Sequence, residues 1–212
     1  RGCWTPVEWF NGTEGDGWHA SEADAGGGFD VFLASKLQGH VSTFLLPGKH
    51  NRANAMAALA GARHAGVPVD VGLHALATFQ GIKRRLEIRG VVRGVTVIDD
   101  FAHHPTAIRL TLEGLRQRVG SARILAVLEP RSNTMKLGTM SAQLSASLEG
   151  ADQVFCYNNK LGWDVAAALA PLGNKAQCFE DIDRLVQSAV ANAHEGDHIL
   201  VMSNGGFAGV HE

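Results

Sequence analysis

The chain is short of cysteine, of any charge excess and of long apolar runs, and each shortage removes a class of protein. Three cysteines in 212 residues, Cys3, Cys156 and Cys178, are too few and too scattered for a disulfide framework or a tight metal spacing. An odd, dispersed count suits reduced thiols in a cytosolic protein, with burial as inert side chains the expected role. The 19 Lys and Arg against 21 Asp and Glu leave a net charge of -2. A nucleic-acid-binding face needs a basic excess, so nucleic acid is not an expected partner. No apolar run approaches the roughly 18 residues that cross a bilayer, and the opening Arg1-Gly2-Cys3-Trp4 has no charged-then-apolar leader. Membrane insertion is therefore not expected, and a start without Met suggests a fragment or a processed chain. A phosphate loop is also missing. Gly26-Gly27-Gly28 lacks the Lys-Ser/Thr and the strand-to-helix setting such a loop requires, and reads as a hairpin loop.

What is present is a globular balance, 45% apolar and 19% charged, in a length that holds one large domain or two smaller ones. Residues 1–46 read as β-rich, with Trp4, Trp9, Phe10 and Trp18 among glycines and acids, then apolar runs at 29–33 and 41–46. From Asn51 the spacing turns helical, with Ala53, Met56, Ala57 and Ala60 on one stripe and Gly66-Val67-Pro68 as a stop. A second helix is predicted, capped by Asp70 and reaching about Phe79. Four short apolar runs follow, at 95–98, 124–128, 153–157 and 198–202, separated by helical spacing. One such helix runs from Pro105 to a stop at Gly120 with Ile108, Leu112, Leu115 and Val119 on its stripe. That alternation predicts an α/β domain, a Rossmann-like doubly wound sheet over about residues 88–212.

Ligands in such sheets sit at the carboxyl ends of the strands, where this sequence places polar clusters: 99–105, 129–134, 158–159 and 203–207. Asp99-Asp100 suits ribose hydroxyls or a cation, or else a turn. His103-His104 does not predict a metal, since neighbouring side chains diverge and no third ligand is suitably placed. Arg131, flanked by Ser132, Asn133 and Thr134, is a natural clamp for a carboxylate, with ordinary turn chemistry as the alternative. Ser203-Asn204-Gly205-Gly206 lets backbone N–H groups approach an anion. Upstream, Asn51 and Asn54 lie three apart at a helix start, on one face, and an amide pairs donor with acceptor as an adenine edge does. The alternative is that Asn51 merely caps and Asn54 is solvated. In Lys83-Arg84-Arg85-Leu86-Glu87, a solvated charge run competes with an arginine that reaches a phosphate.

Taken in order, Gly48-x-His50-Asn51-x-x-Asn54-Ala55, Arg84-Arg85-Leu86-Glu87, Asp99-Asp100-Phe101-Ala102-His103-His104-Pro105, Leu128-Glu129-Pro130-Arg131-Ser132-Asn133-Thr134 and Ser203-Asn204-Gly205-Gly206-Phe207 resemble the motif set of the Mur ligases, from about residue 40 onward. The Glu129–Thr134 segment resembles the muropeptide-joining branch more than the branch that adds L-alanine. The resemblance implies an ATP-dependent amide synthesis in the bacterial cytoplasm, with an acyl phosphate formed on UDP-N-acetylmuramate and attacked by the tripeptide L-alanyl-γ-D-glutamyl-meso-diaminopimelate. It implies that residues 1–80 are the end of a central ATPase domain and 81–212 the carboxy-terminal peptide-binding domain. It further implies that His50, Asn51, Asn54, Arg84, Arg85 and Asp100 contact ATP, with Arg85 on the terminal phosphate and so catalytic. His103, His104, Arg131, Ser132, Asn133 and Asn204 would contact the peptide. Magnesium ligands would belong to an upstream part, so the chain is not expected to turn over ATP alone. The L-alanine-adding enzyme, a folylpolyglutamate-type synthase and a non-catalytic muropeptide-binding module stay open as alternatives, as does the oligomeric state.

Overall fold

A computed structural model describes residues 7–10, 17–24, 27–131, 141–158 and 161–210. The chain divides into two units, Arg1–Gly81 and Ile82–Glu212. No helix among the described residues is long and apolar enough to cross a membrane.

In the first unit, β1 (Trp18–Ala20), β2 (Phe29–Leu33) and β3 (Lys36–Val41) form an antiparallel meander. The β2–β3 connection is two residues, Ala34 and Ser35, both at positive φ. That is the turn geometry whose twist matches a hairpin. The run predicted at 41–46 stops being strand at Val41. Two helices, α1 (Lys49–His64) and α2 (Val69–Ala77), cover one face, and Trp18, Phe29, Val31, Met56, Leu59 and Leu73 form the core between them and the sheet. Gly39 permits that contact, because a Cβ there would stand 2.6 Å from Leu73 Cδ1. The end of α1 is closed by Val67 N–H on the Ala62 carbonyl at 3.0 Å and Gly66 N–H on the Arg63 carbonyl at 2.9 Å, with Gly66 at φ 92°. This paired closure is the usual use of a glycine after a helix. Asp70 is not the cap of α2: the cap position is Pro68, whose ring sets its φ, and no side chain bonds there. The helix ends at Ala77, where Thr78 donates its hydroxyl to the His74 carbonyl.

The second unit is a six-stranded sheet built from β4 (Glu87–Val92), β5 (Val95–Asp100), β6 (Ile124–Leu128), β7 (Gln153–Tyr157), β8 (Ala176–Phe179) and β9 (His198–Met202). Their spatial order is β4-β5-β9-β6-β7-β8, with β4 antiparallel and the rest parallel. Helices α3 (Pro105–Val119), α4 (Ser141–Ser147) and α5 (Val165–Leu169) connect strands over one face, and Ile108, Leu112, Leu115, Leu144 and Val165 pack there against Ile124, Ala126 and Leu128. On the other face α6 (Ile182–Asn192) packs Leu185 and Ala189 against Leu125, Val127 and Phe155. β6 is buried at all five positions, as a strand covered on both sides must be. The chain runs outward from β5 to β8 and then returns to insert β9 between β5 and β6. That reversal is the doubly wound arrangement, and it gathers the strand ends of β5, β9 and β6 at one edge.

Candidate functional site

The strand ends at that edge are laced by main-chain bonds. Ser203 N–H donates to the Asp100 carbonyl at 3.2 Å, and Glu129 N–H donates to the Met202 carbonyl at 3.3 Å. The loops after β5, β9 and β6 therefore hold fixed positions relative to one another.

Arg84 is the organiser of the β5–β9 side. Its guanidinium donates to Asp99 Oδ2 at 3.2 Å and to the Ser203 carbonyl at 2.7 Å, while its own carbonyl accepts from Phe101 N–H at 2.9 Å. The backbone needs a sharp turn to do this, and Arg84 and Leu86 both adopt positive φ. Glu87 helps by accepting the Arg84 N–H at 2.7 Å. Lys83, Arg84, Arg89, Asp99, Gly205, Gly206 and Gly209 line a pocket of about 440 Å³ here. With three cations and one carboxylate on its wall, the pocket favours an anion. Arg85 is exposed, and its guanidinium carbon lies 5.6 Å from the Phe101 ring centre, with that of Arg84 at 5.3 Å from the same centre. The Phe101 ring thus attracts both guanidinium groups, while Arg85 stays open to solvent.

Asp100, expected at ribose hydroxyls, is 2% exposed. Its Oδ2 accepts Leu86 N–H at 2.9 Å, and its Oδ1 accepts Ala102 N–H at 2.8 Å and the Thr111 hydroxyl at 3.2 Å. Burial pushes this carboxyl above its ordinary range, with those donors and Arg85 pulling in the opposite direction. His104 occupies the cap position of α3, where Nδ1 accepts Ala107 N–H at 3.4 Å. His103 Nδ1 bonds the Phe101 carbonyl at 2.8 Å, and the two imidazoles meet edge to face at 5.4 Å.

After β6, Arg131 is exposed, and its guanidinium lies 3.8 Å from Glu129 Oε1. Glu129 itself is 3% exposed, and among the described residues its Oε2 has no hydrogen-bond partner. Burial raises its pKa above the usual range, partly opposed by Arg131. The sequence reading passed over Glu129 as part of a polar loop. The available signal was a carboxylate directly following five apolar strand residues, a position the strand geometry buries. Asn204 is half-buried in the loop after β9, beside the Ser203 hydroxyl that accepts Gly205 N–H at 3.0 Å. Ser132 and Asn133 lie outside the described residues.

His50, Asn51 and Asn54 belong to the first unit, at the start of α1. Asn51 Nδ2 donates to the Pro47 carbonyl at 2.8 Å, and Asn54 is exposed. Asn51 is inside the helix, with Gly48 at the cap. Among the described residues no group of three or more His, Cys, Asp or Glu is placed to hold a metal ion.

A doubly wound sheet with arginines, buried carboxylates and a glycine loop gathered at the carboxyl ends of its strands defines an α/β domain of the kind that carries its site at that edge. Residues 84–205 match the family described as Mur ligase, glutamate ligase domain, and the chain belongs to the Mur ligase family. Among curated relatives, the UDP-N-acetylmuramate–L-alanyl-γ-D-glutamyl-meso-2,6-diaminoheptandioate ligase of Escherichia coli K12 is 46% identical over the whole chain. The chain spans about half of that relative's length, 46%. The crystal structure of a murein peptide ligase from Psychrobacter arcticus 273-4 superimposes with a TM-score of 0.69 at 38% identity, covering 92% of this chain and 42% of the other. The UDP-N-acetylmuramate–L-alanine ligase of Caldanaerobacter subterraneus is 31% identical over 87% of this chain and 42% of its own length.

Proposed function

We propose that the chain is the acceptor-binding part of an ATP-dependent ligase that joins UDP-N-acetylmuramate to L-alanyl-γ-D-glutamyl-meso-diaminopimelate. The observation that carries this reading is the 46% identity to the tripeptide ligase along the entire chain, against 31% to an L-alanine ligase. The chemistry begins with a muramyl carboxylate activated as an acyl phosphate. The tripeptide's free amine attacks the carbonyl carbon, the bond to phosphate breaks, and phosphate departs as the amine loses a proton.

In this scheme Arg85, open to solvent beside Phe101, meets the terminal phosphate and stabilises its developing charge. Arg84 shapes the turn that presents it. Asn51 and Asn54 meet the adenine edge, with His50 beside them. Asp100 can reach a ribose hydroxyl only by sharing an oxygen that already accepts a backbone N–H, so its principal part is to hold the Arg84–Leu86 turn. Arg131 clamps a carboxylate of the incoming tripeptide. His103, His104, Ser132, Asn133 and Asn204 are the weaker peptide contacts. Magnesium would offset the phosphate charge, its ligands being expected upstream of this chain.

The test is calorimetric titration of the tripeptide into the chain, with an Arg131→Ala variant and L-alanine as competitor. Loss of one charge-assisted clamp is expected to cost on the order of 2 kcal/mol, roughly thirtyfold in affinity. Tripeptide binding unchanged by Arg131→Ala would remove that residue from the acceptor site. Binding of L-alanine without binding of tripeptide would replace this reading with the L-alanine ligase. Tripeptide binding by a full-length protein that shows no ATP-dependent ligation would favour a non-catalytic muropeptide-binding module.

A further inference from the structure

Cys156 and Cys178 face each other across β7 and β8. They are direct register partners on these neighbouring parallel strands. Their side chains share one face, since Cys156 lies in the core beneath α3, α4 and α5 and Cys178 packs against that same core. Both are free thiols. Adjacent strands lie about 4.8 Å apart, inside the roughly 4.4–6.8 Å that a disulfide spans between Cα atoms. We propose that Cys156 and Cys178 form a reversible modification site, a disulfide across the β7–β8 pair closed by exchange with a small disulfide such as glutathione disulfide.

The two thiols differ in a way that orders the steps. Cys178 is half-buried on the edge strand, whereas Cys156 is fully buried. The neighbouring Cys156 thiol holds Cys178 below its ordinary pKa, while burial pushes Cys156 well above its own. Cys178 as thiolate attacks one sulfur of glutathione disulfide, forming a mixed disulfide and releasing one glutathione thiolate. Cys156 then gives up its proton, attacks the Cys178 sulfur and displaces the second glutathione thiolate. Two electrons pass from the protein to glutathione disulfide, and two protons leave. The second step is the slow one, because the thiolate is the nucleophile and Cys156 resists ionising. Direct strand neighbours hold their Cβ atoms near the strand spacing, wider than the roughly 3.8 Å a relaxed disulfide prefers. The bond is therefore strained and easily reduced, which suits a switch rather than a permanent staple. This inference stands independently of the ligase reading.

The experiment equilibrates the chain, carrying Cys3→Ser, in glutathione buffers of rising disulfide fraction, followed by acid quench, alkylation in denaturant and tryptic mapping. Cleavage after Lys160 and Lys175 puts the two cysteines in different peptides. The expected result is a reductant-sensitive peptide pair containing Cys156 and Cys178, with both residues lost to alkylation together. Cys156→Ala is expected to trap glutathione on Cys178, and Cys178→Ser to leave Cys156 unmodified. Circular dichroism confirms that each variant is folded. Persistence of both alkylatable thiols in the most oxidising buffer, or of glutathione on Cys178 with Cys156 still present, would overturn the proposal.

Discussion

The Asp100 carboxylate and the Leu86 backbone N–H meet at 2.9 Å, and that bond fastens the end of β5 to the turn carrying Arg84 and Arg85. The same carboxylate holds Ala102 N–H and the Thr111 hydroxyl, so one buried side chain joins the turn before β4, the loop after β5 and helix α3. Asp100→Asn keeps a single carbonyl oxygen and sets an amide N–H against one of two backbone donors. A loss of about 1–3 kcal/mol is expected, read from urea unfolding, and Asp100→Ala should lose at least as much. An unchanged urea midpoint in both variants would show that the three bonds contribute nothing net.

Glu129 imposes a pH dependence of defined sign. Burial raises its folded pKa, so the folded chain takes up the proton more readily than the unfolded chain, whose carboxyl titrates near about 4.3. Its effect on stability is most favourable below that value, turns unfavourable as pH rises through the raised folded pKa, and is constant above it. Glu129→Gln does not titrate. The stability of the Gln variant relative to the parent is expected to rise with pH across that window and then level off. A difference that stays flat from about pH 4 to pH 8 would contradict the assignment.

His104 behaves oppositely. Burial, reinforced by His103 and Arg85, lowers its folded pKa, and the neutral ring is the form that accepts Ala107 N–H. As pH falls below about 6.5 the unfolded chain takes the proton first, so this contribution to stability is lost on acidification toward the folded value. His104→Asn retains a cap acceptor without titrating, and it should lose less stability than the parent below that pH. His104→Ala at neutral pH is expected to cost about 1 kcal/mol through the lost cap.

Arg84→Met preserves the stem and withdraws a cation that donates to the buried Asp99 carboxylate and to the Ser203 carbonyl. About 3 kcal/mol of destabilisation is expected. Hydrogen exchange should locate the opening in residues 203–206, which the guanidinium bridges to the start of the unit. A uniform rise in exchange across the sheet, without emphasis on that loop, would refute the bridging role.

The strands that the sequence delimits best are those buried most. β6, β7 and β9 coincide with the apolar runs at 124–128, 153–157 and 198–202, because a strand covered on both faces is apolar almost throughout. β4 and β8 escaped the reading: each lies at an edge, and their half-exposed patterns carry neither alternation nor a continuous run. Of the four strand-end clusters read from the sequence, those after β5, β9 and β6 are tied together by main-chain bonds, whereas Asn158 donates its N–H to the Phe179 carbonyl on the β8 side. Individual roles were less legible. Whether Asp100 faces a ligand or three internal donors depends on where Leu86 and Thr111 arrive in space. The burial of Glu129 depends on β9 inserting beside β6, a contact about 70 residues distant in sequence that no local pattern announces.

β6 points Ile124, Ala126 and Leu128 into one helical layer and Leu125 and Val127 into the other. A polar side chain on this strand would meet apolar packing on either face, so the strand offers no room for chemical variation. Change in what the domain recognises is thereby confined to the loops at its carboxyl rim. Those loops can exchange length and charge while the rack beneath them stays the same, so a new ligand specificity requires no redesign of the interior.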